Sequence, residues 1–83
     1  MGPSTPPEPA PHADAQWDAG AIGCGELVME LRLHLEPLRP GAVLHIVAKD
    51  PGAIEDMPAW CRLTGHRLVR AEPPHYWIQK KEN

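Results

Sequence analysis

Ala42-Val43-Leu44-His45-Ile46-Val47-Ala48 is a nearly continuous apolar run, fenced by Pro40-Gly41 before it and Asp50-Pro51-Gly52 after it. The run is short and carries three β-branched residues, so it reads as a central strand, covered on one face and in part on the other. Upstream, the apolar residues Leu27, Val28, Leu31, Leu35 and Leu38 recur at steps of three and four, the helical period, with Glu26, Glu30, Arg32, His34 and Glu36 on the other side. The spacing predicts a helix opening near Cys24. It ends near Leu35 or Glu36, because Pro37 biases the residue before it away from helical dihedrals. Before it, Gln16-Trp17-Asp18 is a short candidate strand, and Ala19-Gly20-Ala21-Ile22-Gly23 reads as a turn.

Downstream of the central run, Asp50 is placed to cap a second helix, with Pro51 at its first position, where a missing N–H costs nothing. Ile54, Met57 and Cys61 share a face of that helix, and Gly65 is a natural left-handed stop. Pro58 leaves two options: a tolerated kink, or a second short helix capped by Asp56. Then His66–Ala71 and His75–Lys80 are strands joined by Glu72-Pro73-Pro74, a link too short for a parallel crossover, so they pair antiparallel. The order is β-α-β-α-β-β: an α/β (α+β) two-layer sandwich, with a mixed four-stranded sheet and both helices on one face.

Composition bounds the rest. The chain has 83 residues, with 11 prolines, three tryptophans, one tyrosine and no phenylalanine. Pro3, Pro6, Pro7, Pro9 and Pro11 crowd the start, so residues 1–14 read as an extended, disordered head and Ala15 to Asn83 as one small domain. A domain of that size buries only about 60% of its unfolded surface, which leaves a thin core. Nothing reads as a secretory signal, a myristoylation site or a run of the roughly 18 apolar residues that span a membrane; a cytoplasmic location is expected. The net charge is −3, and Glu8 and Asp14 lie in the head, so the domain holds eight basic and nine acidic residues. That near balance argues against a nucleic-acid or membrane footprint, and a monomer is expected.

Gly20-Ala21-Ile22-Gly23-Cys24-Gly25 superficially suggests a dinucleotide loop, but no third glycine follows Gly23 at the required spacing. Cys24 is the more informative member. At a helix N-terminus, unpaired backbone N–H groups and the positive end of the helix dipole favour thiolate over thiol, while Glu26 opposes a second negative charge. The alternative is a small apolar residue closing the turn. Cys61, on the same face as Met57, is expected in the core. The five histidines show no ligand spacing, so no metal is expected. Trp60, Tyr76 and Trp77 are expected to supply the bulk of the core, and Lys80-Lys81 to be a solvated end.

Trp17-Asp18, Cys24 opening a helix, Arg32, Leu38-x-x-Gly41, Val47-Ala48-x-Asp50-Pro51, Asp56-Met57-Pro58-Ala59-Trp60, Gly65-His66-x-Leu68 and Ile78-x-Lys80 together resemble the TusA/SirA family of sulfur-carrier proteins. The match spans nearly all of the domain. The resemblance implies a two-layer β-α-β-α-β-β fold and a cysteine, here Cys24, that accepts a persulfide sulfur from a cysteine desulfurase or rhodanese-like donor protein and passes it to an acceptor protein thiol. It implies no organic cofactor. The family carries C-P-x-P at this helix start; here the residues are Cys24-Gly25-Glu26-Leu27, with both prolines replaced, and Gly20-Ala21 stands where Arg-Gly is usual. Gly23 and Gly25 would let a partner's cysteine approach closely, and the Gly25 and Glu26 amides would steady the sulfur anion. The rival expectation is a non-catalytic interaction or regulatory module that keeps the fold.

Overall fold

A computed structural model describes residues 11–82, Cys24 by its backbone alone. The proline-rich head falls, for residues 1–10, outside the described residues. The elements are β1 (Ala15–Gly20), α1 (Cys24–Leu35), β2 (Val43–Ala48), α2 (Ala53–Thr64), β3 (Arg67–Glu72) and β4 (His75–Gln79). The sheet order is β1-β2-β4-β3. β1 pairs parallel with β2, and β4 lies antiparallel to both β2 and β3. This is the mixed sheet expected from a crossover at each helix and a closing hairpin.

β2 decides the layering. Its exposure alternates strictly, with Leu44, Ile46 and Ala48 buried and Val43, His45 and Val47 half-buried, so one face meets the helices and the other stays partly covered. Leu27, Leu31 and Leu35 of α1 form a stripe at four-residue steps. They join Ala53, Met57 and Cys61 of α2 over Leu44, Ile46, Tyr76 and Ile78 of the sheet in one cluster. Both helical stripes enter the same cluster, and the architecture is two layers.

Three local expectations are corrected, and the two options left at Pro58 are decided. β1 runs on through Ala19 and Gly20, expected in a turn, because Lys49 N–H donates to Gly20 O at 2.8 Å. Gly20 takes φ +62°, which turns the chain out of the strand without a Cβ penalty. α2 starts later than the Asp50-Pro51 signal suggests: its N-cap is Gly52, and Asp50 Oδ2 instead accepts from Gly52 N–H at 3.0 Å, closing a turn ahead of the helix. Met57 and Cys61 are buried as expected, but Ala53 and not Ile54 completes their stripe, and Ile54 is 54% exposed. The helix then runs unbroken through Pro58, so Asp56 caps no second helix; Ile54, whose carbonyl loses its helical donor, lies on the wet side.

Lys80 and Lys81 are not a free solvated end. Lys80 Nζ donates to Glu36 O at 2.8 Å and Leu38 O at 2.7 Å, beyond the C-terminus of α1. Lys81 Nζ donates to Thr64 O at 3.2 Å, at the C-terminus of α2. Two adjacent cations thus satisfy carbonyls at both helix ends, where the dipole favours positive charge.

The tryptophans are also placed differently. Trp17 and Trp60 sit half-buried at the border of the core, whereas Trp77, only 6% exposed, is absent from the helix-side cluster and packs on the opposite face of the sheet. Among the described residues, no helix is long and apolar enough to cross a membrane.

Candidate functional site

Parallel pairing of β1 and β2 brings their C-terminal ends together, and hydrogen bonds pin three loops to that one end of the sheet. Lys49 N–H holds Gly20 O at 2.8 Å, and Ala48 N–H holds Pro74 O at 2.8 Å. The exit of β1, the Asp50–Gly52 turn and the Pro73-Pro74 hairpin tip are therefore neighbours. Cys24 opens α1 from the first of these loops.

Gly23 is the N-cap, with extended dihedrals and no side-chain capping bond, and its carbonyl accepts the first helical hydrogen bond, from Leu27 N–H at 2.8 Å. The amides of Cys24, Gly25 and Glu26 consequently have no acceptor within the helix, and they face the end where the dipole favours an anion. Gly23, Gly25 and Glu26 are all exposed. A Cβ built on Gly23 or Gly25 would meet nothing within 4 Å among the described residues, so packing against them demands neither glycine. Leu27 is completely buried; it belongs to the core rather than to the rim of the cysteine loop.

The second cysteine is a different kind of group. Cys61 is 4% exposed in the α2 stripe, and burial pushes its thiol up to about 11. It stays protonated and unreactive at neutral pH.

A cavity of about 300 Å³ opens at the same end, between Lys49-Asp50-Pro51, Ile54 and Pro73-Pro74, with Tyr76 beneath. Tyr76 Oη is buried with no hydrogen-bond partner among the described residues, and burial raises its pKa. The sequence offered no signal for this cavity, which exists because β4 inserts between β2 and β3. Among the described residues, no group of three or more His, Cys, Asp or Glu is placed to hold a metal ion.

Residues 16–80 match the family described as Sulfurtransferase TusA. The chain belongs to that family. The sulfur carrier protein TusA of Pseudomonas putida is 38% identical over 82% of this chain and 90% of its own length. The TusA proteins of Pseudomonas entomophila and Pseudomonas paraeruginosa are each 39% identical over 82% of this chain, covering 90% and 91% of their own lengths. The matched region runs from the second residue of β1 to Lys80, and so takes in all of the TusA-like sheet but Ala15, both helices and the cysteine loop.

Proposed function

We propose that this protein is a cytoplasmic sulfur carrier that receives a persulfide sulfur on Cys24 and relays it to an acceptor protein thiol. The observation that carries this reading is the family match over the full fold, combined with a cysteine as the first residue of α1. In the first step the Cys24 thiolate attacks the terminal sulfur of a donor persulfide. The donor S–S bond breaks, the donor leaves as a thiolate, and Cys24 becomes a persulfide. In the second step an acceptor thiolate attacks that terminal sulfur, and Cys24 returns to thiolate. No net electron is gained or lost across the two steps.

Helix-start amides stabilise the anion in each state, and exposed Gly23, Gly25 and Glu26 leave the partner an open approach. A cysteine desulfurase or a rhodanese-like protein fits the donor role. Incubation with a desulfurase and free cysteine, read by intact mass, should add one sulfur atom to the wild-type chain and none to Cys24→Ser. An equal gain on Cys24→Ser would refute the assignment.

A second reading is favoured by one specific pair of residues. Gly25 and Leu27 replace the family prolines, and Leu27 is committed to the core, which fits a module that binds partners without transferring sulfur. Alkylation separates the two readings: a thiol at Cys24 that reacts no faster than a free cysteine in an unfolded peptide supports the non-catalytic module.

A further inference from the structure

The near balance of charge in the domain hides a polarised molecule. Asp18, Glu26, Asp50, Glu55, Asp56 and Glu72 stand at the end where β1 and β2 stop and both helices begin, against Lys49 and Arg70. Arg32, Arg39, Arg62, Arg67, Lys80 and Lys81 stand at the opposite end, against Asp14, Glu36 and Glu82. Six acids thus outnumber two cations at the end that carries Cys24, and six cations outnumber three acids at the other.

Helix geometry explains part of this segregation. Glu26, Glu55 and Asp56 lie in first turns, and Arg32 and Arg62 in last turns, where each complements the helix dipole. Asp18, Asp50 and Glu72 lie outside the helices. Glu72 is held by Arg70 Nε at 2.7 Å, and without that pair five acids and Lys49 remain. The two helix starts supply about half a positive charge each, too little to cancel the excess. Between these charges opens the cavity walled by Pro51, Ile54, Pro73 and Pro74. Tyr76, 1% exposed, buries its hydroxyl beneath it with no partner among the described residues. Long basic side chains suit such a surface, with the aliphatic stem against the apolar walls and the charged head among the acids.

We propose that this end docks the basic face of the sulfur donor, a protein whose persulfide-bearing cysteine is surrounded by Lys and Arg side chains. The proposal rests on the sulfur-carrier reading and adds the chemistry of the partner. Loading is the step that singles out the donor. There Cys24 must attack as a thiolate, in surroundings whose net negative charge disfavours an anion. A donor that brings cations supplies the missing stabilisation on docking, and the opposed fields speed the encounter.

The test is thiol–disulfide exchange of the full, reduced chain with three small disulfides: cystamine, a dication; hydroxyethyl disulfide, neutral; and dithiodiglycolate, a dianion. Each rate is divided by that of the same disulfide with 2-mercaptoethanol, which removes leaving-group differences. At about 10 mM salt the corrected rate should be at least about threefold higher for cystamine than for the neutral disulfide, and lowest for the dianion. The three should converge at about 1 M salt, where charges are screened within about 3 Å. Glu55→Lys should cut the cystamine advantage to about half or less, and Arg67→Glu, at the far end, should change it less than Glu55→Lys does. Equal corrected rates at low salt, or an advantage that survives both high salt and Glu55→Lys, overturn the proposal. Exchange needs only the Cys24 thiol, so it reports the field whether or not a desulfurase loads sulfur there; a missing sulfur atom in the intact mass defeats the carrier reading without moving these ratios.

Discussion

Tyr76 buries its hydroxyl beneath the cavity with no acceptor among the described residues, a loss of about 1–3 kcal/mol relative to a hydrogen-bonded group. Tyr76→Phe removes only that oxygen, so its unfolding midpoint in urea should equal or exceed that of the wild type; a drop would mean the hydroxyl has a partner. Gly25 is the converse case, a residue with open space where a side chain would go. Gly25→Ala should raise stability by roughly 0.5–1 kcal/mol by reducing the freedom of the unfolded chain, again read by urea denaturation. The sequence identified Cys24 as the residue to examine, because a cysteine at a helix start is legible from the apolar period that follows it. It could not separate the roles of Gly25 and Leu27. One is free and the other buried, and that difference depends on where the α1 stripe meets the sheet.

At the scale of elements, the α2 register was legible to within one residue. Asp50-Pro51 has the form of a cap and first turn, but the carboxylate bonds Gly52 instead, and the buried stripe shifts from Ile54 to Ala53. Stability should report that shift. Met57→Ala should cost about 2–5 kcal/mol for a fully buried side chain, whereas Ile54→Ala, at an exposed position, should change stability by less than about 0.5 kcal/mol. Equal losses would restore the register read from sequence. The helix stops at Leu35 and Gly65 were legible, but the capping of their carbonyls was not, since Lys80 reaches carbonyls 42 and 44 residues away. Lys80→Met, which keeps the stem and loses the ammonium, should destabilise by about 1 kcal/mol.

For the whole molecule, the topology followed from the order of elements, the central strand and the impossibly short parallel link at Pro73-Pro74. The hydrogen bond between His45 Nε2 and His75 Nδ1 at 2.9 Å did not, because it needs the β2–β4 register, which no local pattern specifies. That register also shapes the pH response. Burial lowers the pKa of both His45 and His66, His75 adding to the effect at His45 and Lys81 and Lys80 at His66. The folded state thus binds fewer protons than the unfolded state just below the ordinary histidine value. Their contribution is complete above about pH 6.5 and is lost as pH falls through the depressed values. At the other end, Cys61 favours folding below its ordinary value of 9.0, and that contribution is lost as pH rises toward about 11. Urea midpoints should therefore fall between pH 7 and pH 5 and again above pH 9, with His45→Gln flattening the acid limb and Cys61→Ala the alkaline one.

The central claim is that Cys24, and not Cys61, carries sulfur in a TusA-family fold that has lost both signature prolines. Intact-mass analysis after incubation with a cysteine desulfurase and free cysteine tests it most directly. The account predicts one added sulfur atom on the wild type and on Cys61→Ala, removed by a reducing thiol and absent from Cys24→Ser. No added sulfur on the wild type, or sulfur that persists on Cys24→Ser, would contradict it.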